Sequence, residues 1–152
     1  MRTPASIAGH PIHPMLVPIP IGLWLFSLFC DLMCFGGSTD PAWPTVALYT
    51  MAGGIVGALL AAVPGLIDLL SLSAGPRRTA LAHMTINLTV VVLYVVNIWM
   101  RLSIPESGSV TPWLSLIAIG LLVISGWLGG KMVYTLGVAV DAPTESTAVP
   151  KR

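Results

Sequence analysis

The stretch PAWPTVALYTMAGGIVGALLAAVPGLI, residues 41–67, contains no Asp, Glu, Lys or Arg. The hydrocarbon core of a bilayer is about 30 Å thick, so a helix needs about 20 apolar residues to cross it. Three further charge-free windows flank this stretch, at residues 3–30, 79–100 and 107–130. The chain therefore predicts four transmembrane helices, near residues 15–35, 43–70, 79–102 and 111–134.

The amino-acid composition also indicates an integral membrane protein. Of the 152 residues, 55% are hydrophobic and only 9% are charged, and the mean hydropathy is +0.89. A soluble domain carries about 25% charged residues. The net charge of +1 and the lack of a basic stripe argue against a nucleic-acid partner. The lipid bilayer is the expected partner.

The connections between the four windows are short, which favours antiparallel neighbours and an up-down bundle. We therefore predict an all-α integral membrane protein, an antiparallel bundle of four transmembrane helices. Its parts are an irregular Pro/His-rich segment capping the bundle (residues 1–14), the transmembrane domain (15–140) and a disordered polar tail (141–152).

Basic residues predict the orientation. Six of the seven lie on the side that holds both termini, and Arg101 alone lies on the other side. Because basic residues accumulate on the cytoplasmic side of membrane proteins, both termini are expected in the cytoplasm. The six are Arg2, Arg77, Arg78, Lys131, Lys151 and Arg152.

The segment GHPIHP, residues 9–14, places two histidines at the start of the first window. His10 and His13 each precede a proline, which disfavours helical conformation, so no ordinary helix is expected before about Pro18. Irregular backbone at membrane depth is tolerated where it is buried in protein or lines a cavity. The segment is therefore expected to fold over the end of the bundle and to aim its imidazoles inward.

The topology predicts a layer of polar residues at this end. Helices one and three start on the same side, so His83 shares a leaflet with His10 and His13. Asp68, at the end of helix two, is expected to accept a hydrogen bond from a histidine. Asn87 lies one turn deeper than His83 on the same helix face.

Several ligands suit these residues. Two axial histidines, His13 and His83, suit a b-type haem, with Arg77, Arg78 or Lys131 near its propionates. Copper or zinc would use the same histidines, with His10 as an alternative ligand. A proton site through His10, Asp68 and His83, or a cofactor-free structural layer, also remains open. Because an ionisable group at membrane depth is a functional-site hypothesis by default, the histidines are the first candidates for a functional role.

Two cysteines, Cys30 and Cys34, stand one turn apart near the other end of helix one. The side chains of such a pair diverge from disulfide geometry. Packing as small hydrophobic residues is therefore the expected role of both, ahead of a metal or redox role.

Four segments together resemble a bacterial family of uncharacterised four-helix inner-membrane proteins, a domain-of-unknown-function family. They are GHPIHPMLVPIPIGLW (9–24), PGLID (64–68), His83 with Asn87, and SGWLGGKMVY (125–134). The resemblance implies the bacterial inner membrane. Because some members are joined to Rieske iron–sulfur domains, it also implies an electron-transfer setting and favours haem. Relatives often read Tyr-Arg-His-Gly-Val where this chain has Tyr134-Thr135-Leu136-Gly137-Val138, so one further histidine is missing here.

The sequence thus predicts a haem-binding electron carrier or accessory subunit that does not itself turn over a substrate. We expect it to form a homo-oligomer or to belong to a complex with a Rieske-type or other redox partner.

Overall fold

The computed structural model describes residues 3–104 and 107–140. It begins with strands β1 (Ser6–Ile7) and β2 (His10–Pro11) and the short helix α1 (Ile12–Leu16), followed by four long helices. With α1 leading into the first of these, all four are long and apolar enough to cross a membrane. The predicted class, an all-α four-helix membrane protein, is confirmed. The long helices are α2 (Pro18–Phe35), α3 (Ala42–Ser71), α4 (Ala74–Ser103) and α5 (Thr111–Tyr134).

The N-terminal segment is more ordered than expected. β1 and β2 pair antiparallel around a turn at Ala8 and Gly9, whose φ angles are +50° and +79°. The expectation of no helix before Pro18 is wrong, because α1 already contains His13 and Pro14. Pro14 is the third residue of α1. The first amides of a helix have no acceptor within it, so the missing N–H of a proline removes no hydrogen bond there.

The bundle consists of two helix hairpins. α2 packs chiefly on α3, α4 packs chiefly on α5, and the two hairpins meet along the middle of the molecule. We call the end where α2 and α4 begin the near end, and the opposite end the far end. The near end holds both ends of the described chain and the α3–α4 connection at Leu72 and Ser73, which is where the sequence predicts most of the basic residues.

The apolar core lies where the two hairpins meet. Trp24 and Tyr94 stack with ring centroids 4.5 Å apart and ring planes at 5°. The indole N–H of Trp24 donates to the carbonyl of Met51 on α3, at 3.2 Å. A Cβ at Gly54 would lie 2.3 Å from the indole nitrogen of Trp24, so the glycine is what allows this ring to lie against α3.

The cysteines fit their expected packing role. Cys30 is fully buried in the same core cluster as Trp24 and Tyr94. Cys34 is partly buried, and both thiols are free.

Candidate functional site

The structure brings His13 and His83 together at the contact between the two hairpins. Their ring centroids are 6.1 Å apart and the ring planes meet at 86°. His13 lies on α1 at the start of the first hairpin, and His83 lies on α4, nine residues after Ala74, the first residue of that helix. Both rings are partly buried. The two imidazoles that the sequence assigns to a metal therefore lie side by side.

Each ring is fixed through the same atom. Nδ1 of His13 donates to the carbonyl of Ala61 at 2.8 Å, and Nδ1 of His83 donates to the carbonyl of Ser125 at 2.9 Å. The Ser125 hydroxyl also lies 2.9 Å from this nitrogen. A carbonyl only accepts, so each Nδ1 carries the proton and each Nε2 of a neutral ring is an unprotonated base. Metal-binding histidines are commonly oriented in this way by a backbone carbonyl.

A glycine lies against each ring. A Cβ at Gly65 would lie 2.8 Å from Nδ1 of His13, and a Cβ at Gly129 would lie 3.5 Å from Cε1 of His83. Each glycine follows the residue that supplies the carbonyl by one helical turn. The first ring therefore has no room for a side chain at position 65, whereas the second ring would be in ordinary contact with a methyl group.

Asn87 distinguishes the two imidazoles. Its side-chain amide donates to the backbone carbonyl of His83 at 3.0 Å and also approaches Nε2 of the same residue at 3.0 Å. Asn87, one turn below His83 on the same helix face, thus contacts both the ring and the backbone of His83. Nε2 of His83 is capped by an amide, while Nε2 of His13 receives no hydrogen bond from residues 3–104 or 107–140.

The role predicted for Asp68 is wrong. Its buried carboxylate accepts the backbone N–H of Ala5 at 2.9 Å, whereas both histidines donate to carbonyls of neighbouring helices. The carbonyl of Ala5 in turn accepts the N–H of Ile12 at 2.9 Å. Asp68 therefore anchors the N-terminal segment to the end of α3, because it satisfies an amide that the two-residue strands leave unpaired.

His10 does not join the pair. It is exposed in the N-terminal hairpin, where its Nδ1 donates to the carbonyl of Ala8 at 3.0 Å. Within the described parts of the chain, no three His, Cys, Asp or Glu side chains are placed to hold a metal ion together. The expectation that His10 serves as an alternative ligand beside the other two histidines is therefore wrong. Arg77, Arg78 and Lys131 are exposed near the same end, and their contact with propionates stays a prediction.

Sequence reasoning missed a polar cluster at the far end. Arg101 donates to the carboxylate of Asp31 at 2.7 Å and to the side-chain oxygen of Asn97 at 2.7 Å. Asn97 donates to the hydroxyl of Ser115 at 3.0 Å, and that hydroxyl lies 3.3 Å from Asp31. Asp31 is 3% exposed. The available signal was their position in the sequence, because Asp31 and Arg101 lie near the far ends of the helices predicted at residues 15–35 and 79–102.

The fold and this site define a class: a four-helix membrane protein whose two hairpins each present one oriented imidazole to the other. A family model described as "Predicted membrane protein (DUF2231)" matches residues 9–142, which include the GHPIHP segment and all four helices. The chain belongs to this family, as the sequence motifs predict. No curated protein and no solved structure matches it.

Proposed function

We propose that the protein binds a b-type haem through Nε2 of His13 and of His83 and carries electrons in the membrane without turning over a substrate. The observation that supports this most directly is the fixed tautomer of the two rings. Both Nδ1 atoms donate to carbonyls, so two basic Nε2 atoms belong to adjacent rings on opposite hairpins.

The spacing of the rings fits one shared metal centre. Two imidazoles that shared one metal ion, each with its nitrogen about 2.0–2.1 Å from the metal, would have ring centroids no more than roughly 6.5 Å apart. The observed separation is 6.1 Å. Gly65 and Gly129 leave room for the two imidazoles beside their carbonyl acceptors. Binding requires Nε2 of His83 to exchange its Asn87 contact for the metal, and Asn87 keeps its bond to the His83 carbonyl.

The residues of the chain would have separate roles. His13 and His83 would hold the iron, and a bound haem would supply one-electron redox chemistry. The carbonyls of Ala61 and Ser125 orient these imidazoles. The exposed cations Arg77, Arg78 and Lys131 suit the propionates at the membrane surface.

We further propose the bacterial inner membrane as the location, with both termini in the cytoplasm. A Rieske-type or other redox partner, met in a homo-oligomer or a complex, would complete the electron path. The family resemblance is the support for that setting.

A visible spectrum tests the haem. Protein purified in detergent and supplied with hemin should show a Soret band that sharpens and shifts on reduction with dithionite, because iron with two imidazoles stays low-spin in both states. His13→Ala and His83→Ala should lose this spectrum, and the exposed His10→Ala is the matched control that should keep it. Folded protein that takes up no hemin would rule out the proposal.

The contact between Asn87 and Nε2 of His83 favours one alternative, a cofactor-free histidine layer that holds the hairpins together. In that case His83→Ala would lower the melting temperature of a colourless protein. Metal analysis of the same sample would detect copper or zinc held by the two histidines instead.

A further inference from the structure

Three contacts between the hairpins join residues with the same spacing. His13 meets His83, Trp24 stacks on Tyr94, and Asp31 pairs with Arg101. In each pair the second residue follows the first by 70 positions. Two further buried positions of α2, Pro20 and Ser27, have buried counterparts 70 positions later in α4, Val90 and Asn97.

The second helix of each hairpin repeats in the same way. The carbonyl that holds His13 belongs to Ala61 and the carbonyl that holds His83 belongs to Ser125, 64 positions later. Gly65 and Gly129 have the same offset. All four buried residues of α5 fall 64 positions after buried residues of α3. The corresponding pairs are Ala47 and Thr111, Met51 and Ser115, Gly54 and Ala118, and Ala61 and Ser125.

A two-fold axis explains this pattern, because such an axis brings a residue near it next to its own copy. Two transmembrane helices return the chain to the near end, so both hairpins start on the same side of the membrane. Repeats of the same direction are related by an axis along the membrane normal. The three contacts follow one another along α1 and α2 on one side and along α4 on the other, as expected for residues on that axis.

We propose that residues 12–71 and 74–134 are two copies of one helix-hairpin unit, and that the histidine pair is a two-fold site. Each unit contributes one imidazole, fixed in the same tautomer by the same carbonyl position. The ligand lies on the axis, and the two imidazoles contribute equally to its binding. That this ligand is a haem rests on the proposed function, whereas the equivalence of the two units does not.

Differences between the units compensate one another. The larger ring, Trp24, lies against Gly54, while the smaller Tyr94 belongs to the unit that has Ala118 at the corresponding position. On the axis at the far end, two like charges would repel, and the pair is instead Asp31 and Arg101. This ion pair makes the two units complementary rather than identical.

The proposed repeat predicts that a second substitution restores the stability lost in a first one, and this test needs no ligand. Tyr94→Trp gives the second unit the larger ring without the glycine that Trp24 requires, so it should lower the melting temperature in detergent. Ala118→Gly should lower the melting temperature of the native protein, because glycine weakens a helix, but should raise that of Tyr94→Trp. The control Ala52→Gly, at an exposed helix position, should lower the melting temperature in both backgrounds.

Each outcome of these melting measurements supports or overturns the proposed equivalence of the two units. If Tyr94→Trp does not fold, recovery of folded protein on adding Ala118→Gly supports the equivalence, and failure to recover it overturns the equivalence. An Ala118→Gly change that is equally harmful with Tyr94 or Trp at position 94 also overturns it.

Hemin titration tests the shared site separately. Asn87 caps only one ring, and its counterpart 70 positions earlier is Val17, so the titration uses the Asn87→Val background. There, adding His13→Ala or His83→Ala should raise the hemin dissociation constant by the same factor. A difference of more than about tenfold, or 1.4 kcal/mol, would overturn equal ligation while leaving the haem proposal standing. If no hemin binds, the haem proposal fails and the melting series still decides the repeat.

Discussion

Gly54 offers the sharpest test of how Trp24 packs between α3 and Tyr94. In Gly54→Ala, the new Cβ would lie 2.3 Å from the indole nitrogen of Trp24, 2.5 Å from Cδ1 and 2.8 Å from Cε2. The ring has little room to retreat, because it is 2% exposed and stacked on Tyr94. Its movement would also break the hydrogen bond from the indole to the Met51 carbonyl.

The expected loss of stability follows from three terms. Overpacking costs about 1–3 kcal/mol, a lost hydrogen bond costs about 0.5–1.5 kcal/mol, and replacing glycine in a helix returns about 1 kcal/mol. We therefore expect Gly54→Ala to reduce the free energy of unfolding by roughly 0.5–3.5 kcal/mol. For a chain of this size, that is a fall in melting temperature of roughly 1–14 °C.

The neighbouring glycine is the matched control. A Cβ at Gly53 would meet only the terminal Cδ1 of Leu23, at 3.3 Å, which can rotate away. Gly53→Ala should therefore keep or raise the melting temperature, because the gain in helix propensity remains. Thermal unfolding of both variants in the same detergent provides the comparison. A Gly54→Ala protein as stable as Gly53→Ala would refute the packing of Trp24 described above.

The other predictions concern the far-end ion pair, Asn87 and the orientation. Asp31→Leu should lower the free energy of unfolding by about 3–5 kcal/mol, because it leaves the buried charge of Arg101 without its partner. Adding Arg101→Met should restore most of that loss. Equal stability of the single and double variants would contradict the buried pair. Asn87→Val should tighten hemin binding by up to about tenfold, since one net hydrogen bond of about 0.5–1.5 kcal/mol no longer competes for Nε2 of His83; weaker binding would show that Asn87 supports the ligand. A reporter fused after Arg152 should be active in the cytoplasm and one inserted within residues 103–110 should be active outside, whereas the reverse pattern would move the histidine pair to the opposite face.

The fold was predictable because the lipid environment permits few backbone conformations. A backbone that crosses the hydrocarbon core must satisfy its own hydrogen bonds, so each charge-free window had to be a helix. The start of α4 was placed at residue 79 and lies at Ala74. The charge criterion excluded Arg77 and Arg78, although a helix readily continues past exposed arginines at the membrane boundary.

The histidine pair was predictable in part. The topology placed His13 and His83 at the same end, and one-turn spacing gave the contact with Asn87. The acceptors were not predictable, because every residue has a carbonyl and only the rotation of each helix decides which one faces a ring. The same limit applies to Asp31 and Arg101. Their positions in the sequence put both residues at one end of the predicted helices, but a count of charges does not reveal which face of its helix each residue occupies.

The far-end ion pair also has a consequence for how the protein is made. Asp31 leaves the ribosome 70 residues before Arg101, which at about 5–20 residues per second is a delay of roughly 4–14 s. During that delay, the first hairpin has no cation for this carboxylate within the bilayer, and burying an isolated charge there is strongly unfavourable. We therefore expect α2 to remain near the membrane surface, or to enter with Asp31 protonated, until α4 emerges. Cysteine labelling at the far end of α2 can be measured in chains stalled before and after residue 101. If insertion of α2 requires Arg101 to have emerged, the labelling should fall sharply between the two.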